Sequence, residues 1–157
     1  MKRLFMFYAV FSFTFIFLLT ACVRPNREAG KNIDFSLDVD GRTRTWILHV
    51  PPIPDADEPL SLLVVLHGTY GTGSKMQRAL GFDAHADQHG FYVAYPDAYQ
   101  IPGERDTARW NDGRGTLESS LQEIDDVRFI IEMIAEIGRH VALDTSRVYV
   151  TGASNYR

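Results

Sequence analysis

Ser154 has the setting that most directly points to chemistry. It stands in Gly152-Ala153-Ser154-Asn155, straight after the run Arg147 to Thr151 (RVYVT). A serine on a sharp turn between a buried strand and a helix is a nucleophile elbow, which lifts a hydroxyl clear of a sheet for acyl transfer. Small residues flank such a serine because the backbone is crowded there, and Gly152 and Ala153 are small. The alternative is that Ser154 only caps the next helix. A second feature is Leu66-His67-Gly68, at the end of the apolar run Leu60 to Leu66, opening a glycine-rich loop that runs to Ser74. Acyl transfer needs N–H donors aimed at a tetrahedral oxyanion, one from the residue after the nucleophile and one from such a loop. Asn155 and Thr69, or a neighbour of Thr69, are in the right places. His67 reads as a brace for its loop through side-chain hydrogen bonds, not as the general base. The stretch Gly68 to Lys75 misses the glycine and lysine spacing of a phosphate loop. No metal and no other cofactor is expected.

The elements that must position these groups follow from hydropathy patterning. Ile33 to Asp40 and Thr43 to Val50 alternate apolar and polar residues about Gly41-Arg42, which predicts an antiparallel hairpin. Pro51 to Pro59 holds four prolines and is a loop. Leu60 to Leu66 (LSLLVVL) and Phe91 to Tyr95 (FYVAY) are continuously apolar, as strands covered on both faces must be. Between them Ser74 can cap a helix reaching about His89, closed by Gly90. Residues 97 to 117 lack periodicity and form a long loop, a common place for function. Apolar residues then recur at near-helical spacing from about Leu117 to His140 (Leu121, Ile124, Val127, Phe129, Ile130, Ile131, Ile134 and Ile137), predicting one amphipathic helix. Val141 to Thr145 reads as a turn and Arg147 to Thr151 as a third buried strand. A hairpin followed by strand, helix, strand, helix, strand predicts an α/β fold, a mostly parallel sheet with helices on both faces.

Leu66-His67-Gly68, Gly90-Phe91-Tyr92-Val93-Ala94-Tyr95-Pro96-Asp97, Trp110-Asn111, Asp125-Asp126-Val127-Arg128-Phe129-Ile130 and Arg147 to Asn155 together resemble the polyhydroxybutyrate depolymerase and feruloyl esterase group of α/β-hydrolases, in order and spacing, over residues 43 to 155. The resemblance implies a secreted carboxylic-ester hydrolase with Ser154 as nucleophile, acting on an ester of a polymer, phenolic or short-chain acid. It also implies that Asp125 and Asp126 lie on the helix before the nucleophile strand and are not the triad acid. Their place inside that helix argues against a helix-start pair and for a buried hydrogen-bonding role near the elbow. Asp97 and Trp110 are expected to shape the mouth of the site, with His67, Gly68 and Gly152.

The family elbow continues Ser-Asn-Gly, whereas this sequence reads Ser154-Asn155-Tyr156-Arg157. The triad order Ser, then Asp or Glu, then His places both partners downstream, and His49, His67, His85, His89 and His140 are in the wrong places to replace them. The expectation is therefore the amino-terminal half of an α/β-hydrolase sheet, truncated after the elbow by a frameshift, a premature stop or fragmentation, and inactive as written. A noncatalytic lipoprotein remnant or binding module is the rival reading, and a serine peptidase of the same fold a weaker one.

Six of the ten Phe fall within the first 17 residues, inside an uncharged run from Leu4 to Leu19 behind Lys2 and Arg3. That layout is a secretory signal, too short to span a bilayer. Leu19-Thr20-Ala21-Cys22 resembles the lipobox of bacterial lipoproteins, which implies a signal over 1–21, acylation of Cys22 and a membrane anchor, with Val23 favouring the outer membrane of a diderm cell. Several acyl chains give stable anchoring where one does not. Residues 22–32 read as a tether and 33–157 as the partial domain. Cys22 is the only cysteine, so no internal disulfide is possible. Loss of Lys2 and Arg3 takes the formal charge from −4 to −6, a sign that disfavours nucleic acid.

Overall fold

The structure, a computed structural model, describes residues 29–52, 58–103, 108–111, 113 and 123–154. The expected signal and Cys22 lie outside these residues. Strands β1 (Lys31–Val39) and β2 (Arg42–Val50) form the expected antiparallel hairpin. Asp40 and Gly41 form its tip with φ of 53° and 72°. Two left-handed residues make the type I′ turn whose twist matches a hairpin. β3 (Leu60–Leu66), β4 (Tyr92–Pro96) and β5 (Leu143–Gly152) complete one sheet in the order β1-β2-β4-β3-β5. β2 and β4 pair antiparallel, and β3 pairs parallel with both β4 and β5.

Both faces of this sheet are covered, which is why its central strands are continuously apolar. Leu62 and Val64 of β3, Tyr92 and Ala94 of β4, and Trp46 and Leu48 of β2 pack with Phe129, Met133 and Ile137 of α3 (Asp126–His140). The alternate residues Val65, Val93 and Tyr95 form a second cluster with Ala86, Met76 and Phe82 of α1 (Gly73–Leu80) and α2 (Phe82–His89). Period-two alternation in a strand sends successive side chains to opposite layers, so one apolar run serves two cores.

Four local expectations change. The single helix from Ser74 to His89 is two, because Gly81 has φ 65° and its N–H closes α1 on the Gln77 carbonyl. Thr72, not Ser74, caps α1 by accepting from the Lys75 N–H. The helix expected from Leu117 begins at Asp126: Glu123 is left-handed at φ 53° and Ile124 precedes the helix, while residues 114–122 lie outside those described. β5 starts at Leu143, inside the expected turn, and is not buried throughout. Among the described residues it pairs with β3 alone, at one end of the sheet, and Tyr149 and Val150 are 58% and 59% exposed. Among the described residues no helix is long and apolar enough to cross a membrane.

Candidate active site

The carboxyl ends of β3 and β5 meet where the sequence placed Ser154. The Ala153 N–H carries the β5 pairing one residue past the strand, to the Leu66 carbonyl at 3.4 Å. Ser154 then turns left-handed, with φ 56°. A non-glycine residue seldom adopts this conformation, and it is the backbone signature of a sharp strand-to-helix elbow. Two glycines make room for it. A Cβ on Gly152 would lie 2.9 Å from the Leu66 carbonyl oxygen, and one on Gly68 would lie 2.6 Å from the Ala153 oxygen and 2.9 Å from the Ser154 oxygen. Gly68, Thr69, Tyr70 and Ser154 line a shallow concavity of about 310 Å³. Thr69 and Ser154 thus face one space, whereas Asn155 lies outside the described residues.

The loop opposite Ser154 is braced from three sides. His67 is 1% exposed, and its Nε2 accepts from the Ala98 N–H at 2.9 Å. A backbone N–H can only donate, so the proton sits on Nδ1, which donates to the Gly68 carbonyl at 2.6 Å. Burial holds the His67 pKa below its ordinary value, and the ring is neutral with both nitrogens engaged. Nothing in this arrangement leaves a ring nitrogen to take a proton from serine. The Gly68 carbonyl also accepts from the Gly71 N–H, closing a turn whose third residue, Tyr70, has φ 60°. Trp110 covers His67 with ring centroids 5.2 Å apart and donates its indole N–H to the His67 carbonyl at 2.8 Å.

The brace continues into the α3 side of the core. The Asn111 N–H donates to Asp126 Oδ2 at 2.6 Å, and Asp126 Oδ1 accepts from Arg44 Nη2, also at 2.6 Å. Arg44 is 2% exposed and lies 3.9 Å over the Phe129 ring. Burial lowers its pKa, while Asp126 opposes that shift. Asp125 caps α3 by accepting from the Arg128 N–H at 2.8 Å. This corrects the placement of the two acids inside the helix: they are its start. A left-handed Glu123 breaks any earlier turn, and Asp125 satisfies one of the first orphan N–H groups. The buried partners of Asp126 are Arg44 and Asn111.

Asp97 is tied at both oxygens, Oδ1 accepting from the Gly73 N–H at 2.7 Å and Oδ2 from the Thr45 hydroxyl at 2.8 Å. It clamps the start of α1 to β2 and lines a larger cavity of about 490 Å³ beside Tyr70. His49 and His140 sit on other elements with other partners: His49 with Asn32 and Asp87, His140 with Glu136. Sequence reading missed Arg44 and Tyr70. In TRTWILHV, Arg44 shares the period-two face of Trp46 and Leu48, and that was the available signal for burial. Tyr70 had none, since its left-handed φ is unexpected for a bulky residue.

Known proteins align with this arrangement. Residues 44–156 match the family described as esterase PHB depolymerase. The chain is 30% identical over 117 residues to NocK of Nocardia uniformis subsp. tsuyamanensis, a protein named as an esterase, covering 74% of this chain and 32% of that protein. It is 32% identical over 112 residues to poly(3-hydroxyalkanoate) depolymerase C of Paucimonas lemoignei, covering 68% and 24%. The chain therefore spans a quarter to a third of the length of these relatives. An S-formylglutathione hydrolase from Agrobacterium tumefaciens superposes with a TM-score of 0.61 at 23% identity, over 80% of this chain and 50% of that one. A ferulic acid esterase from Anaeromyces mucronatus superposes with a TM-score of 0.52 at 15% identity, over 82% and 50%. The fold is that of the α/β-hydrolases, and with a family match over most of its length the chain belongs to the PHB depolymerase esterases.

Proposed function

We propose that this chain carries the nucleophile and part of the oxyanion site of a serine carboxylic-ester hydrolase. The observation that supports this best is the left-handed Ser154 at the end of β5, pressed against Gly68 at the end of β3. The esterase and depolymerase relatives support an ester as substrate, a polyester in the depolymerase's case, and the proposal takes in esters of phenolic and short-chain acids as well. In this reading Ser154 Oγ attacks the ester carbonyl and gives up its proton to a base. The tetrahedral oxyanion is held by the backbone N–H groups of Thr69 and Asn155, and the alcohol leaves with the proton. Water then attacks the acyl-enzyme and regenerates the serine. His67, Gly68, Gly152 and Trp110 keep the two loops in contact, and Asp97 shapes the space beside them. With His67 neutral and doubly engaged, the reading requires a base and its carboxylate from outside the described residues.

The test is covalent labelling of the whole protein by a fluorophosphonate, with hydrolysis of 4-nitrophenyl acetate measured in parallel. Labelling and turnover that both vanish in Ser154→Ala support the assignment. An unlabelled Ser154 in folded protein overturns it and leaves a noncatalytic module. The signal over 1–21 and Cys22 extend the proposal to an exported lipoprotein held on the cell envelope. Incorporation of radioactive palmitate that is lost in Cys22→Ser is the expected result, and incorporation that survives the change refutes it.

A further inference from the structure

The chain has five histidines, and three of the rings are engaged. His49 meets Asn32 and Asp87, His67 meets Gly68 and Ala98, and His140 meets Glu136. His85 and His89 differ. Both are exposed, and among the described residues neither ring has a hydrogen-bond or ion-pair partner. They stand four positions apart on α2, with ring centroids 6.5 Å apart and planes 14° from parallel. Residues at this spacing share one face of a helix, their Cβ atoms roughly 5–6 Å apart.

Another pair at the same spacing fastens α2 to the domain. Asp83 accepts from the Tyr95 hydroxyl at 2.7 Å and from Gln77 at 2.8 Å. Asp87 accepts from the Gly30 N–H at 3.1 Å and faces His49 Nε2 at 2.9 Å. Ala86 is fully buried. At eight residues the helix is too short to be stable by itself, and its last turn is closed by the Gly90 N–H on the Ala86 carbonyl at 2.8 Å. A link between His85 and His89 would span that turn.

Imidazole nitrogens suit zinc and copper(II), whereas magnesium and calcium take oxygen ligands. Two histidines one turn apart on a helix face can converge on one such ion, at roughly 2.0–2.1 Å from each nitrogen. Exposed side-chain torsions are free to bring the two rings to it. Among the described residues no larger group of histidine, cysteine, aspartate or glutamate is placed to hold a metal, so water would fill the remaining positions.

We propose that His85 and His89 bind one zinc or copper(II) ion as a clip across the last turn of α2. The positive charge lies at the helix carboxyl terminus, where the macrodipole favours it. Holding that turn keeps Asp87 on Gly30 and His49, and so steadies the point where β1 enters the sheet. α2 ends just before β4 begins, whereas Ser154 follows the far end of β5, which with β4 runs parallel to β3. The ion therefore takes no part in chemistry at the serine, and the clip is independent of the hydrolase reading.

The experiment titrates the whole protein with zinc, copper(II) and magnesium chlorides, and repeats this in His85→Gln, His89→Gln and the control His140→Gln. Calorimetry should give one zinc per chain, tighter binding of copper(II) and none of magnesium. Either α2 variant should lose at least about tenfold in zinc affinity, because even an outer partner of a metal ligand is worth ~10–100-fold. His140→Gln should bind as wild type does. The copper(II) paramagnetic resonance spectrum should show coupling to two imidazole nitrogens, and zinc should slow hydrogen exchange at the Gly90 N–H. Both altered side chains on α2 are exposed, so these variants keep the fold. Unchanged zinc affinity in both overturns the clip and places the ion elsewhere. One zinc per two chains, with a dimer in sedimentation, overturns it in favour of a bridge between copies, and no binding to the folded protein overturns it outright.

Discussion

Asp126→Ala should cost most of the stability margin, although the residue lies two links from the serine. Arg44 keeps its charge at any ordinary pH, and at 2% exposure it is shut away from water, with the Asp126 carboxylate at 2.6 Å and Asp97 bound to it only through its backbone carbonyl at 3.3 Å. Breaking a buried pair by removing one partner costs about 3–5 kcal/mol. The Asn111 N–H, which donates to the same carboxylate, adds about 1–3 kcal/mol if left unsatisfied. Set against a typical domain stability of about 5–15 kcal/mol, the single variant is close to unfolding. Arg44→Met with Asp126→Ala should recover most of the loss, because the orphaned charge goes with its partner and Met keeps apolar contact with Phe129. Urea unfolding with linear extrapolation measures each value. A single-variant cost under about 1 kcal/mol, or a double variant no more stable than the sum of the two singles, would refute the reasoning. The same variants carry a functional readout. Asp126 anchors Asn111, adjacent to the Trp110 that holds the His67 carbonyl, so fluorophosphonate labelling of Ser154 should slow in the folded fraction of Asp126→Ala and of the double variant.

Gly68→Ala puts a methyl 2.6 Å and 2.9 Å from two backbone oxygens of the elbow, and the loops must separate. Labelling at Ser154 should fall by up to about a hundredfold, the cost that a misplacement near 1 Å can carry; a rate equal to wild type would contradict the contact. His67 titrates below its ordinary 6.5 in the fold, so on acidification the unfolded chain takes up a proton first. Its contribution to stability is therefore present above about pH 6.5 and declines as pH falls from there toward the folded pKa. The urea midpoint should drop more steeply between pH 8 and 5 in wild type than in His67→Gln, and parallel curves would sink this account. Gly81→Ala forces a side chain into φ 65° with no steric contact nearby, a cost of roughly 1–2 kcal/mol, read as a lowered urea midpoint. A raised midpoint would show that α1 and α2 prefer to run as one helix.

What was legible in the residues was what depends on near neighbours. The continuous apolar runs of β3 and β4 and the alternation of β1 and β2 follow from side-chain direction, and the sheet contains them; the hairpin turn, expected at Gly41-Arg42, lies one residue earlier, because Asp40 and Gly41 are the left-handed pair and Arg42 already belongs to β2. The same reasoning faltered where two local options differ by about 1 kcal/mol. A glycine inside a helical pattern costs roughly that much whether the helix continues or breaks, so Gly81 looked tolerable and proved to be a boundary. Asp125 and Asp126 read as helix interior because the apolar spacing runs back to Leu121, whereas one left-handed residue at Glu123 moves the helix start past it.

The sequence by itself determined an α/β chain with a glycine-flanked serine after a strand and a histidine-glycine loop after another. It could not determine that Arg44 and Asp126, 82 positions apart, form one buried pair, or that Tyr70 joins two cavities. Nor could it fix the strand order, which among the described residues sets β5 beside β3 on the side away from β4. Burial of a charge and the order of strands depend on which distant segments meet, and periodicity within a window carries no information about that. The contact of Gly68 with the Ser154 backbone is of this kind, and only the tertiary structure decides it.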